Sequence, residues 1–218
     1  TLLEAISGYV PLRSGAVRVG EVALSSPSPR QLARLGVRRS FQGVESFEDL
    51  SVRENLLVAH EELRARSWPR ELLRPTPAVL PPSLVILADQ FGLTQHLDAS
   101  PDELPFGRRR LLGVARALSG RPSLLLLDEP ASGLSAAESQ DFARLLRAVV
   151  DFYGMGVLLI DHDVDMVVGL CDEVVVLDVG RVIFRGAPAS LMSDDAVRAA
   201  YLGGHVSVPE GGPAVEVA

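Results

Sequence analysis

Two adjacent carboxylates follow a run of leucines in the middle of the chain, where Leu124–Leu127 lead into Asp128 and Glu129. A short apolar run between Pro122 and Pro130 predicts a strand covered on both faces, which is typical of parallel sheets. Ligands of open α/β sheets bind beyond the carboxyl ends of the strands. Neighbouring acids are costly there unless a cation or a proton transfer uses them. The pair indicates either such a site or a strand that merely ends in polar residues.

Three further residues stand at points where a phosphate site could form. Gln42 directly follows a predicted strand in "RSFQ", His162 follows another in "LLIDHD", and Gly107 begins a predicted helix in "LPFGRRRLLGVARAL". An amide, two carboxylates and an imidazole at strand ends suit a magnesium-bound phosphate and an attacking water. A helix start with glycine offers free backbone N–H groups to an anion.

Each of these signals is weak by itself. A lone histidine after a strand is more often structural than catalytic, and a single glutamine carries no information. The three consecutive arginines Arg108–Arg110 are interpreted as a solvated helix face. The combination and its order along the chain favour a nucleotide site, in which Asp128 holds Mg²⁺, Glu129 polarises the nucleophilic water and His162 contacts the departing phosphoryl group.

The elements that must position these residues alternate between apolar strands and amphipathic helices. This alternation predicts an α/β domain around a largely parallel sheet. Residues 43–102 carry no strand pattern and are predicted to form a mainly helical subdomain. Within it, Ser51 and Glu54 form a predicted capping box at the start of a helix. "GAVRVGEVAL" predicts a short hairpin, and the Gly/Pro-rich end of the chain is predicted to be disordered.

Composition narrows the possible functions. The chain has 218 residues, 47% of them hydrophobic, and no apolar run approaches the roughly 20 residues of a membrane-spanning helix. The net charge of −7 argues against a nucleic-acid partner. Its single cysteine, Cys171, excludes an internal disulfide and is interpreted as a small buried hydrophobe. All 21 basic residues are arginines, so no lysine can contact a phosphate.

Taken together, these motifs resemble those of the ATP-binding subunits of ABC transporters. Gln42 matches the Q-loop, "LPFGR" the signature motif, "SGLS" the D-loop and His162 the switch histidine. Asp128 matches the Walker B aspartate, and Glu129 the catalytic glutamate. The stretches "TLLEAISGYVPLRSG", "FEDLSVRENLLVA" and "DDAVRAAYLGG" look most like subunits for branched-chain amino-acid uptake.

The resemblance implies a fold, a reaction and a set of partners. The fold would be a P-loop NTPase core over residues 1–203, with a helical subdomain inserted at about residues 43–115 and a disordered tail over residues 204–218. The cofactors would be ATP and Mg²⁺, the latter held by Asp128 and Gln42 through water. The partners would be a second ATPase subunit and membrane permease subunits, at the cytoplasmic face of the cell membrane. Gly107 would bind ATP held by the opposite subunit.

Three departures from the family pattern bear on function. The phosphate loop, G-x-x-x-x-G-K-[ST], would end immediately before Thr1, so we expect this chain alone neither to bind ATP tightly nor to hydrolyse it. Pro105 replaces the signature serine and offers neither hydroxyl nor N–H. Ser135 replaces the usual D-loop aspartate, which weakens communication across the dimer.

These departures leave two main functional hypotheses open. The first is an ATP-hydrolysing subunit that drives a permease, in a heterodimer rather than a homodimer because Pro105 damages the partner's site. The second is a non-catalytic, structural or regulatory half of a heterodimer. An ABC ATPase of DNA repair or translation is disfavoured, because neither paired cassettes nor a long coiled-coil insertion is present in the sequence.

Overall fold

The structure is a computed structural model that describes residues 2–40, 46–61 and 79–201. The strands are β1 (Val17–Val19), β2 (Val22–Leu24), β3 (Val37–Ser40), β4 (Leu124–Asp128), β5 (Gly156–Ile160), β6 (Val174–Asp178) and β7 (Arg181–Gly186). The helices are α1 (Leu2–Ile6), α2 (Pro29–Arg34), α3 (Val52–Glu61), α4 (Pro82–Gln90), α5 (Phe106–Ser119), α6 (Ala136–Tyr153), α7 (Val164–Leu170) and α8 (Asp195–Tyr201). Short 3-10 turns cover Thr94–His96, Pro101–Glu103 and Pro188–Ser193.

The chain divides into two compact units. The first comprises Thr1–Val17 and Ser25–Asp161, and the second comprises Arg18–Leu24 and His162–Ala218. This boundary falls immediately after β5, between Asp161 and His162. Each unit has its own sheet and its own buried side chains.

The first unit is built on a parallel sheet with strand order β3-β4-β5. In the central strand β4, Leu125, Leu126 and Leu127 are all buried. Asp128, its last residue, pairs in register with Ile160 at the end of β5. The predicted doubly covered strand and its parallel neighbours are therefore confirmed, because the leucines of β4 are buried on both faces and the strand lies between two parallel partners.

The described residues between β3 and β4 form helices and 3-10 turns without a strand. α3 packs against α5, and α5 in turn packs against β3. The predicted capping box starts α3: the N–H and hydroxyl of Ser51 both donate to Glu54 Oε2, each at 2.8 Å. The inserted subdomain over about residues 43–115 stays a prediction.

A buried asparagine holds the loop that leads into α3. Asn55 is fully buried, and its Nδ2 donates to the carbonyls of Phe47, Leu50 and Ser51, each at 3.0 Å. Its Oδ1 accepts from the N–H of Phe47 at 2.9 Å. Both ends of the amide are thereby satisfied, as a buried amide requires. These hydrogen bonds hold the segment that precedes α3 in place.

The second unit holds the antiparallel pair β6–β7, with a shift in register between Val176 and Leu177. Its core contains Val174, Leu191 and Val197, and the half-buried Cys171 packs against them. Burial raises the pKa of the Cys171 thiol, with a further contribution from Asp172. The sulfur is thus a neutral, apolar part of this core, in line with its interpretation from sequence. The predicted tail lies outside the described residues.

Candidate functional site

Asp128 ends the central strand and forms an ion pair with an arginine of the neighbouring strand. Its Oδ2 lies 2.9 Å from Nη2 of Arg39, and the two side chains are 23% and 10% exposed. Nη1 of Arg39 donates to the hydroxyl of Ser7 at 3.2 Å, and the guanidinium lies 5.9 Å from the ring centre of Tyr9. Because the Ser7 hydroxyl in turn donates to the carbonyl of Leu3, Arg39 connects the carboxylate of β4 to the end of α1.

Glu129 leaves the strand in an unusual backbone conformation. Its φ of 44° lies in the left-handed region, which residues other than glycine rarely adopt. Its N–H donates to the carbonyl of Ile160 at 2.7 Å. Its carbonyl accepts from Nη1 of Arg110 at 3.0 Å and from the N–H of Ser132 at 3.1 Å. The two neighbouring acids therefore have different backbone conformations and different partners.

The helix that carries Gly107 begins without a side-chain cap. Pro105 is its N-cap residue with φ −54° and ψ 149°, and its ring makes no capping hydrogen bond. The first helical hydrogen bond runs from the N–H of Arg109 to the carbonyl of Pro105 at 3.1 Å. The N–H groups of Phe106, Gly107 and Arg108 thus have no partner within the helix. They form a helix start that can bind an anion.

This helix start packs tightly against the loop that follows β4. A Cβ added to Gly107 would lie 3.3 Å from Cδ2 of Leu134, and one added to Gly133 only 2.8 Å from Cε1 of Phe106. Gly133 also has φ +82°, which favours glycine. The structure therefore brings Gly107 and the loop of Glu129 together within the first unit.

Ser135, the predicted D-loop position, caps α6. Its N–H and hydroxyl donate to Glu138 Oε2 at 2.8 and 2.7 Å, and its Oγ accepts from the N–H of Glu138 at 3.4 Å. The hydrogen bonds from the side chain and then the backbone of Ser135 lower the pKa of Glu138. This residue has a clear local role in starting a helix.

For two predicted site residues, His162 and Gln42, the structure gives less information. His162 is exposed and is the first residue after the boundary of the first unit, one residue before Asp163, which caps α7 by accepting from the N–H of Met166 at 3.1 Å. Its contact with a phosphoryl group stays a prediction. Gln42 lies outside the described residues.

Comparison with known sequences identifies the family. Residues 1–132, more than half of the 218 residues, match the family model described as ABC transporter. The chain belongs to the ATP-binding subunits of ABC transporters. A second model, described as Branched-chain amino acid ATP-binding cassette transporter, matches residues 181–207. The predicted family, its α/β P-loop NTPase fold class and its class of ATP-hydrolysing enzymes are thereby confirmed.

Individual relatives support the same assignment. The high-affinity branched-chain amino acid transport ATP-binding protein LivG of Salmonella typhimurium is 32% identical over 210 residues, which cover 93% of this chain and 82% of that protein. The protein BraF of Pseudomonas aeruginosa, described in the same words, is 30% identical over 209 residues with the same coverage. A solved ATP-binding cassette of an ABC transporter, MJ1267, superposes with a TM-score of 0.75 at 23% identity, covering 93% of this chain and 83% of the other. The last likeness concerns the fold.

One carboxylate of this ABC subunit is suited to bind a metal ion together with a nucleotide. Among the described residues, no group of three or more His, Cys, Asp or Glu side chains could hold a metal ion by itself. Mg²⁺ in nucleotide sites is usually bound by one or two carboxylates together with water and substrate phosphates. Asp128, partly exposed at a strand end, provides one such carboxylate. No helix in the described part of the chain is long and apolar enough to span a membrane.

The arginine pattern was only partly understood from sequence. The prediction that Arg108–Arg110 form a solvated face is wrong: all three are half-buried, and they donate to the carbonyls of Gly92, Leu104 and Glu129, respectively. Sequence reasoning also missed Arg39. The available signal was a charged residue inside a strand next to the buried β4, because a charged side chain that is largely buried needs an acceptor or a partner of opposite charge.

Proposed function

We propose that this chain is the ATP-hydrolysing subunit of an ABC importer for branched-chain amino acids, coupling hydrolysis to transport by a membrane permease. The observation that carries the enzymatic part is the strand end where Asp128 and Glu129 have separate partners and separate backbone conformations. The solute is supported by the names of LivG and BraF and by the second family model. Such a subunit works at the cytoplasmic face of the cell membrane, as a peripheral protein.

Each site residue has a distinct role in this proposal. Asp128 and Gln42 would hold Mg²⁺ through water, and the bound ion would supply positive charge near the nucleotide phosphates. Glu129 accepts a proton from the attacking water and orients it. His162 donates to the phosphoryl group that departs. The start of α5 at Gly107 presents its N–H groups to ATP held by the opposite subunit.

The favoured assembly is a heterodimer with a second ATPase subunit. In a nucleotide-sandwich dimer, each signature motif completes the site of the partner. Pro105 provides no hydroxyl, and the structure gives α5 no side-chain cap in its place. A partner with an intact signature keeps the site formed by Asp128 and Glu129 complete.

The test compares two substitutions in a subunit that carries a phosphate loop ahead of Thr1, assembled with its partner. Glu129→Gln should lower the ATPase rate by about 10²–10⁴-fold, the contribution of a general base, while MgATP still binds. Asp128→Asn should weaken magnesium-dependent nucleotide binding itself. Binding is measured by calorimetry with and without Mg²⁺, and turnover by phosphate release.

Transport provides the second arm of this test. Cells that lack the gene should lose uptake of labelled leucine, isoleucine and valine, and Glu129→Gln should fail to restore it. Unchanged turnover in Glu129→Gln would support the alternative, a non-catalytic half whose partner performs the hydrolysis, for which Pro105 is the motivating observation. Normal uptake in the deletion strain would show that the solute is different.

A further inference from the structure

Arg110 links the helix start that carries Gly107 to the backbone of Glu129. It is the fifth residue of α5, at the start of the second turn and three residues after Gly107. Its Nη1 donates to the carbonyl of Glu129 at 3.0 Å, and its guanidinium lies 5.4 Å from the ring centre of Phe106. The side chain thus spans from the start of the helix to the residue after β4.

Arg110 combines this favourable hydrogen bond with an unfavourable feature of the same side chain. Its Nε is buried and has no hydrogen-bond partner in the described part of the chain. A buried donor without a partner is unfavourable, and native structures rarely keep one without a reason. A methionine of similar length removes this donor along with the hydrogen bond to Glu129. We therefore expect Arg110→Met to change the free energy of unfolding only slightly.

Glu129 needs support from outside its own loop. A non-glycine residue in a left-handed conformation is strained, and such strain persists only where the surrounding structure holds it. The N–H of Glu129 is held by the carbonyl of Ile160 in β5, and its carbonyl by Arg110 in α5. The conformation of this one residue thus depends on a neighbouring strand and on the helix that carries Gly107.

Close packing prevents the helix start and the loop from moving independently. Phe106 lies against Gly133, and Gly107 against Leu134, at distances that leave no room for a methyl group on Gly133. The loop itself is closed by hydrogen bonds from the N–H of Ser132 to the carbonyl of Glu129 and from Leu134 to Ala131. The start of α5 is therefore joined to Glu129 by close packing as well as by the hydrogen bond from Arg110.

We propose that Arg110 is a positioning residue that sets the backbone of Glu129 and so couples the two ATP sites of the dimer within one subunit. The start of α5 contacts the nucleotide of the partner, whereas Glu129 serves the subunit's own nucleotide. Binding of the partner's nucleotide at the start of α5 is transmitted to Glu129 through the hydrogen bond from Arg110. This inference rests on the proposed function, because it takes the roles of Glu129 and Gly107 from there.

The experiment compares Arg110→Met, Arg110→Lys and the matched control Arg109→Met in the assembled subunit with a phosphate loop ahead of Thr1. Arg109 is adjacent in the same helix and donates to the carbonyls of Leu104 and Asp102, not to Glu129. Arg110→Met should lower kcat about tenfold or more while KM and MgATP affinity change less than about twofold, the pattern of a lost transition-state effect. Arg110→Lys, which can still donate to one carbonyl, should recover most of the rate, and Arg109→Met should stay within about twofold of the parent.

A second readout does not depend on activity. Hydrogen exchange of the segment 129–135 in the nucleotide-free protein should accelerate in Arg110→Met and not in Arg109→Met, with a similar midpoint of thermal unfolding in both. Equal losses of rate in Arg110→Met and Arg109→Met, or unchanged exchange in Arg110→Met, would overturn the coupling. Glu129→Gln distinguishes failure of the proposed function from failure of this inference. If Glu129→Gln keeps full turnover, the proposed function is wrong. If Glu129→Gln is inactive and Arg110→Met is fully active, only the role of Arg110 is wrong.

Discussion

At the scale of single residues, two neighbouring acids are made different by what surrounds them. Asp128 still belongs to β4 and faces the guanidinium of Arg39, so its charge is compensated inside the unit. Glu129 has left the strand and is held through its main chain. These different environments support the separate roles that we propose, with Asp128 directed toward a metal ion and Glu129 toward water.

We predict that the ion pair between Arg39 and Asp128 stabilises the first unit. Arg39→Met should lower the free energy of unfolding by roughly 2 kcal/mol, less than the ~3–5 kcal/mol of a fully buried pair. The reduction arises because Asp128 is 23% exposed and solvent screens the remaining charge. Urea denaturation of Arg39→Met, Asp128→Asn and the double variant measures the coupling, expected to exceed about 1 kcal/mol.

Arg38 provides the matched control for this cycle. It neighbours Arg39 in β3, but its Nη1 donates to the carbonyls of Ala33 at 2.8 Å and Val37 at 3.2 Å. Arg38→Met should be additive with Asp128→Asn to within about 0.5 kcal/mol. An additive result for Arg39→Met as well would mean that the ion pair contributes nothing to folding.

At the scale of elements, the two helices that begin near the loop after β4 start in different ways. α5 begins at an uncapped proline, which leaves its first N–H groups available to an anion. α6 begins in the opposite way, with a capping box that satisfies its own N–H groups. The first N–H groups of α5 can therefore bind a ligand, whereas those at the start of α6 are satisfied by its own side chains.

We predict an acid-dependent contribution from the capping box of α6. The folded-state pKa of Glu138 is lowered by Ser135, so this contribution is complete above the ordinary carboxyl pKa and is lost as the pH falls through the lowered one. Ser135→Ala should reduce stability by about 1 kcal/mol at pH 7. The stability lost in Ser135→Ala should be smaller at acid pH. Urea denaturation at pH 7 and at acid pH measures the difference.

Ser51 of α3 gives an internal comparison. Its backbone, and then its side chain, lower the pKa of Glu54 in the same arrangement. Ser51→Ala should therefore show the same direction of pH dependence. A loss in Ser135→Ala that is identical at neutral and acid pH would argue that Glu138 takes no part in the cap.

At the scale of the whole molecule, the function that we propose requires a second ATPase subunit. The start of α5 has no side-chain cap, and position 105 carries no hydroxyl. In a sandwich dimer that deficit falls on the nucleotide of the partner. In the dimer that we propose, the identity of the second subunit therefore decides how much activity is lost.

We predict that Pro105→Ser speeds a homodimer clearly and a heterodimer only modestly. A hydroxyl hydrogen bond to a charged phosphate contributes about 1.5–3 kcal/mol, which corresponds to roughly tenfold to a hundredfold in rate. Both sites of a homodimer gain it, whereas the intact signature of a different partner already serves one site. Phosphate release is measured with a phosphate loop ahead of Thr1. An unchanged homodimer would mean that Gly107 and the helix start are sufficient.

Much of the fold and of the candidate site could be predicted from local patterns. The apolar run before Asp128, the capping box at Ser51 and the glycine-containing start of α5 each depend on neighbours within a few residues. Such signals survive without knowledge of the fold, because strand burial and helix capping are set by nearby side chains. The order of Gln42, Gly107, Asp128 and His162 along the chain was then sufficient to indicate the family.

The sequence by itself determined the strand end, the acids that stand there and the enzyme family. Only the tertiary structure decided that Arg39 compensates Asp128 and that Arg110 holds the carbonyl of Glu129, contacts that join residues 89 and 19 positions apart. It also decided the left-handed conformation of Glu129 and the boundary between Asp161 and His162. An arginine can donate to many acceptors, so its type does not reveal its partner. That choice is made when strands and helices distant in sequence pack together and leave one acceptor within reach.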